Sequence, residues 1–163
     1  MSGKEATGSA GDPDLRQGDL VLLCLGRQGE GIGLARDSKH RVVLLSQTCD
    51  LVQASKHYCL VAPIIDASPA EISAARKGKS PLSLFLDDSE GRGPWVADIG
   101  RALSVPKSRV MGAEVIARCV DSASSTQARR LGARIGRAFS RFPFPNEVFP
   151  VFSKLQGKLR DKA

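Results

Sequence analysis

The apolar residues of this chain come in short solid runs rather than in an even alternation. Residues 20–25 (Leu-Val-Leu-Leu-Cys-Leu) and 42–45 (Val-Val-Leu-Leu) are the clearest, followed by 58–62. Runs this short and this rich in branched side chains read as buried strands, because helices need greater length. Residues 82–86, 95–97 and 101–105 add further short strands, and 32–36 pairs as one more before the central run. Residues 115–120 are apolar at most positions, where strand and helix are hard to separate. Between them, Ser68-Pro69-Ala70-Glu71 carries a helix start: a capping serine, a proline in the first turn and a glutamate closing a capping box. That helix runs from Pro69 to about Lys77 and stops at Gly78. Residues 106–109 give one helical turn. Six or seven short strands with small helical insertions predict a mainly β, α+β fold, a strongly bent sheet or small barrel.

The two ends differ from this middle. Residues 1–17 are rich in Gly, Ser and Ala, show no apolar period and read as a disordered leader. At the other end, Ser125 or Thr126 caps a helix reaching about Ser140. Ala128, Leu131, Ile135, Ala138 and Phe139 share one face of it by helical spacing. Arg130, Arg134, Arg137 and Arg141 follow at i, i+4, i+7 and i+11 along an adjacent stripe. Phe142-Pro143-Phe144-Pro145 breaks the helix, and a second amphipathic helix begins near Asn146, with Val151, Phe152, Leu155 and Leu159 on its apolar face. The expected organisation is a leader at 1–17, a barrel over 18–122 and a basic helical extension over 123–163, packed on the barrel or on a partner.

Charge sharpens that division. Residues 107–163 hold 12 Lys/Arg against 4 Asp/Glu, whereas residues 1–106 hold 12 against 13, so the whole excess of +7 lies in the last third. Such asymmetry points to a polyanion or an acidic protein as partner, with a solvated basic face as the plainer alternative. No run of 18 apolar residues exists and no signal peptide is evident, which predicts a cytoplasmic protein without a membrane span. Four cysteines in 163 residues fall short of a disulfide scaffold.

The candidate chemistry gathers where the central strand empties into Ser46-Gln47-Thr48-Cys49-Asp50. Cys49 near the start of a helical turn, with His57 at the next strand, would make a nucleophilic pair. The commoner role for such residues is to satisfy backbone groups in a tight turn, with the cysteine as filler. A zinc site would need Cys24, Cys49, Cys59 and Cys119 to converge, and none forms a close pair, so no metal or other cofactor is expected. Asp87-Asp88 sits in a turn, where solvation explains it. The residues 26–33, with four glycines, read as a hairpin or a loop over a groove, and lack the lysine and hydroxyl of a phosphate loop. The arginine stripe is the stronger feature: it either binds phosphates or is a solvated face. Tyr58 and Trp95 are the polar-tipped aromatics available for stacking bases.

Gly18-Asp19-Leu20-Val21-Leu22, Arg41-Val42-Val43-Leu44-Leu45-Ser46 and Cys59-Leu60-Val61-Ala62-Pro63-Ile64 together resemble the PemK/MazF family of bacterial toxin-like proteins. Val96-Ala97-Asp98-Ile99 and Ser104-Val105-Pro106-Lys107-Ser108-Arg109 extend the likeness over roughly residues 17–120. The SQTCD run and the RFPFP elbow resemble a divergent subgroup of bacterial proteins with the same signatures. The resemblance implies a small SH3-like barrel, a homodimer and sequence-specific, metal-independent cleavage of RNA in a toxin–antitoxin or phage-defence setting. It places Arg41 at the family's catalytic arginine. The family's threonine falls near Ile65 or Asp66, where this chain has none, so Ser46, Thr48 or Cys49 would have to stand in. The alternative is a non-catalytic barrel that binds nucleic acid or acts as a protein-interaction or regulatory module.

Overall fold

The computed structural model describes residues 15–87, 91–120 and 125–140. In chain order these form β1 (Asp19–Cys24), α1 (Arg27–Glu30), β2 (Lys39–Leu44), α2 (Thr48–Val52), β3 (Tyr58–Ile65) and α3 (Pro69–Arg76). There follow β4 (Ser83–Leu86), β5 (Trp95–Asp98), a 3-10 turn (Ile99–Arg101), β6 (Leu103–Pro106), α4 (Lys107–Met111), β7 (Glu114–Arg118) and α5 (Thr126–Phe139). The fold is α+β. Among the described residues, seven strands make one antiparallel sheet in the order β4-β5-β3-β2-β1-β7, with β6 also paired to β3.

The solid apolar runs of β1, β2 and β3 exist because both faces of these strands are covered. Successive side chains point to opposite faces, and neighbours in sequence accordingly enter different cores. Leu20, Val43, Leu45 and Ala62 join one cluster with Leu84, Ala97 and Ile99 of the β4–β5 side and Leu131, Ile135 and Ala138 of α5. Val21, Val42, Leu44 and Val61 join the other with Leu15, Leu51 of α2, Val105 of β6 and Val110 of α4. Leu15 is 3% exposed, so the chain is packed before residue 17, three residues inside the stretch expected to be a leader. Residues 1–14 lie outside the described residues, as do 141–163, where the elbow and the second C-terminal helix are expected.

β3 organises the sheet. Tyr58 to Val61 pair with Pro106 to Leu103 of β6, and Ile64 and Ile65 pair with Ala97 and Val96 of β5. β5 and β6 thus run as one antiparallel course along β3, interrupted where residues 98–102 bulge opposite 62–63. This explains why the strand continues through Pro63 instead of ending there, as expected from sequence. Leu60 turns its carbonyl to the Leu45 amide at 2.8 Å and its own amide to Ser46 Oγ at 2.8 Å, both on the β2 side. By alternation Pro63 directs its nitrogen to the opposite edge, where the bulge leaves the missing N–H without a ladder partner to deprive.

Two sequence expectations change here. Residues 32–36 form no strand, and the glycine-rich stretch before them contains the helical turn α1. The Arg101 guanidinium donates to the Ile32 carbonyl through both Nε and Nη2, and the Leu34 amide donates to the Gly29 carbonyl at 2.9 Å. These bonds curl the segment onto itself, so its backbone is not offered to a sheet, and the loop is tied down rather than poised over a groove. The predicted 101–105 strand begins later, at Leu103, because Ile99–Arg101 forms the 3-10 turn that carries that arginine.

Both helix starts read from sequence are present. Ser68 caps α3 with a full capping box: its amide donates to Glu71 Oε2 at 2.7 Å, and the Glu71 amide donates back to Ser68 Oγ at 3.4 Å. The Ser68 amide first, and then its hydroxyl, hold the Glu71 carboxyl below its ordinary pKa. A depressed carboxylate stabilises the fold at pH values above its unfolded pKa, and that contribution fades as pH falls through the folded value. Ser125 caps α5 by accepting from the Ala128 amide at 3.1 Å. α5 then lays Leu131 against Gly18, which sits at φ +93°; a Cβ there would come within 2.7 Å of Leu131 Cδ2 and 3.0 Å of Val120 Cγ2. Gly18→Ala therefore meets both an unfavourable backbone conformation and a clash with α5. It is expected to lower stability by about 1–3 kcal/mol, read as a reduced midpoint in urea unfolding.

Candidate nucleic-acid interface

α5 buries Leu131, Ile135 and Ala138 against the sheet, which turns its arginine-bearing flank toward α3 and β4. Between these elements lies an open groove of roughly 770 Å³. Arg76 and Lys77 line it from the end of α3, and Arg129, Arg130, Arg134 and Arg137 line it from α5. Asp87 is the one carboxylate among its described lining residues. A concave surface with one sign of charge concentrates the field and draws polyanions.

The arginines are not equivalent. Arg134 is half-buried and ties the elements together: Nη1 donates to the Phe85 carbonyl of β4 at 3.3 Å, and Nη2 to the Arg76 carbonyl at 3.3 Å. The second bond meets the carbonyl-rich C-terminal end of α3, where a cation is favoured. Arg76 lies over the Phe85 ring, 4.7 Å from its centroid. Arg129, Arg130 and Arg137 are exposed and make no side-chain hydrogen bond or ion pair among the described residues. Arg134 thus builds the groove, while its neighbours on the stripe are available to a ligand. Arg141 lies outside the described residues. Arg76, Lys77 and Arg129 were not singled out from sequence; the basic pair before Gly78 was visible as a helix end, but its position across from α5 is a long-range outcome.

The residues proposed for chemistry separate into two places. Arg41 stands on β2 beside the end of β3. Its Nη2 is 3.2 Å from Asp66 Oδ1, and its guanidinium carbon lies over the Trp95 ring at 5.2 Å from the centroid. Val42 pairs with Pro63, which sets Arg41 level with Ile64; Ile65 pairs with Val96, which sets Trp95 one step further along. The contact of Arg41 with Trp95 therefore runs diagonally over β3, across two strand spacings of about 4.8 Å each, which the long arginine side chain spans. Ser46, Thr48 and Cys49 lie beyond the opposite end of β2, about 16 Å or more from Arg41 along the strand. Ser46 Oγ accepts the Leu60 amide and extends the ladder past the end of the strand. Thr48 Oγ1 accepts the Gln17 amide at 3.2 Å and helps hold the chain entering β1. The structure does not bring these three together with Arg41.

Cys49 is exposed in the first turn of α2, its thiol donating to Gln47 Oε1 at 3.5 Å, and it makes no bond to His57. His57 instead offers its carbonyl to the Lys107 amide at 2.9 Å, and the His40 ring meets the Ala35 carbonyl at 2.8 Å. Among the described residues no three His, Cys, Asp or Glu side chains are grouped as metal ligands would be, and no helix is long and apolar enough to cross a membrane.

No protein-family model matches the chain, and no curated protein matches it either. Among solved structures it is similar to the crystal structure of MazE-MazF (form II) from Deinococcus radiodurans. That likeness has a TM-score of 0.45 at 16% identity and covers 77% of this chain and 92% of the other.

Thiol accessibility checks the placement of Cys49. Burial raises the Cys59 thiol pKa, an effect partly offset by Lys107, whereas Cys24 and Cys49 are exposed. A thiol-alkylating probe is expected to label Cys24 and Cys49 at similar rates and Cys59 at least about tenfold more slowly. Selective labelling of Cys49 over Cys24 would instead indicate an activated nucleophile.

Proposed function

We propose that this protein binds RNA through the groove between α3, β4 and α5, and that it is a MazF/PemK-like protein adapted to binding rather than to cleavage. The observation that carries the reading is the groove whose described lining sets six cations against one carboxylate, with Arg129, Arg130 and Arg137 held out toward solvent. Phosphate contacts supply most sequence-independent affinity for nucleic acid, and a curved cationic wall suits a flexible backbone. Cleavage is the less favoured part of the family reading. In the family reading it uses a hydroxyl next to the arginine that stabilises the transition state. The hydroxyls of Ser46 and Thr48 are engaged on backbone amides at the far end of β2.

Arg130→Glu combined with Arg137→Glu tests the groove without touching the buried anchor Arg134. The double variant is expected to keep the fold and to lose at least about tenfold in affinity for single-stranded RNA at low salt. Its log–log salt dependence should be shallower by about 1.4, from two phosphate contacts at ~0.7 each. Fluorescence anisotropy with a labelled oligonucleotide measures both. Unchanged RNA affinity at low salt would refute the groove. Capture of an acidic peptide in place of RNA, with the same sensitivity to the two substitutions, would reassign it to a protein partner.

A further inference from the structure

Arg41, Asp66 and Trp95 form a second constellation, separate from the cationic groove, and it is built from weak links. The ion pair is solvent-exposed, with side chains 42% and 97% accessible for Arg41 and Asp66, and pairs of that kind contribute little. An exposed cation–π contact is similarly modest. Trp95 itself is firmly seated. It is half-buried at the start of β5, opposite Leu86 of β4, and packs against the same core that α5 covers. A half-buried indole that carries a lightly held guanidinium over its ring is an exchangeable stacking surface. A nucleobase stacked on an aromatic ring gains more than either link it would displace.

The geometry points to a nucleobase-binding subsite in which a base replaces Arg41 on the Trp95 ring and Arg41 turns to the adjoining phosphate. Asp66 is the latch: while it holds Arg41, the ring is covered, and its charge opposes an incoming backbone. The exchange conserves interactions. The Arg41 cation leaves one aromatic face and one carboxylate and takes up a phosphate, while the base takes the vacated ring. A duplex keeps its bases stacked within the helix and offers none to Trp95, so the subsite selects unpaired nucleotides. This site rests on the proposed RNA-binding reading and assigns the part of that function the basic groove does not supply, contact with bases.

Trp95 is the sole tryptophan of the chain, so its emission reports on this ring directly. Titration of the wild-type protein with an unlabelled single-stranded RNA 12-mer is expected to quench that emission along the binding curve obtained by anisotropy. A 12-base-pair RNA duplex is expected to bind in a salt-dependent way and leave the emission unchanged. Asp66→Asn, at a fully exposed position, should tighten single-strand binding about 2- to 5-fold by releasing Arg41. Trp95→Leu should weaken it about 5- to 100-fold while sparing the duplex. Single-strand binding without quenching, or equal quenching by the duplex, would overturn the subsite and leave the groove reading intact. Unchanged or weaker binding by Asp66→Asn would overturn the latch. Absence of binding to either RNA would overturn the proposed function and the subsite with it.

Discussion

The docking of α5 on the sheet is the constraint from which the basic groove follows. A 14-residue helix is marginal on its own in water, and this one also carries Gly132 and Gly136, so its stability must come from its apolar stripe. Leu131, Ile135 and Ala138 supply that stripe, and each large side chain buried this way contributes roughly 1.5–3 kcal/mol. Once they face the core, the helical period leaves no freedom in where Arg130, Arg134 and Arg137 point. Gly18 admits Leu131 by lacking a Cβ, and Arg134 closes the contact by reaching the carbonyls of Phe85 and Arg76. The positive surface is thus a consequence of packing.

The rest of the sheet depends on covering both faces of β1, β2 and β3. That demand accounts for the absence of alternation in their sequences and for the two cores on either side. It also gives β3 its unusual length of service, pairing with β2 on one edge and with both β5 and β6 on the other. The bulge at residues 98–102 is where this double duty shows. It accommodates Pro63 in the interior of the sheet, and it carries the Arg101 guanidinium to the Ile32 carbonyl, tying down the glycine-rich segment between β1 and β2. One irregularity thereby settles both a strand and a loop.

Features governed by neighbours in sequence were legible from the residues. The runs at 20–25 and 42–45, the capping box at Ser68 and Glu71, the Ser125 cap and the arginine stripe all depend on spacing within a few positions. The features missed depend on partners far along the chain. Nothing near residues 32–36 announces that Arg101 will hold that backbone, and nothing near Ser46 announces that its hydroxyl will complete the ladder of β3. The candidate chemistry suffered most from this. Ser46, Thr48 and Cys49 looked reactive because they follow a strand, yet two of them serve the backbone. Arg41 kept its interest through Asp66 and Trp95, which lie 25 and 54 positions away in sequence.

The central claim is that α5 is a docked element of the fold whose outward flank meets RNA. Hydrogen exchange across the described residues tests it most directly, measured on the free protein and again with saturating single-stranded RNA. The account predicts that the amides from Leu131 to Ala138 exchange slowly in the free protein, in step with β1 and β2. It further predicts added protection on α5 and on the last turn of α3 when RNA is present. Exchange of α5 at the rate of an isolated peptide helix, or RNA protection that bypasses both α5 and α3, would contradict it.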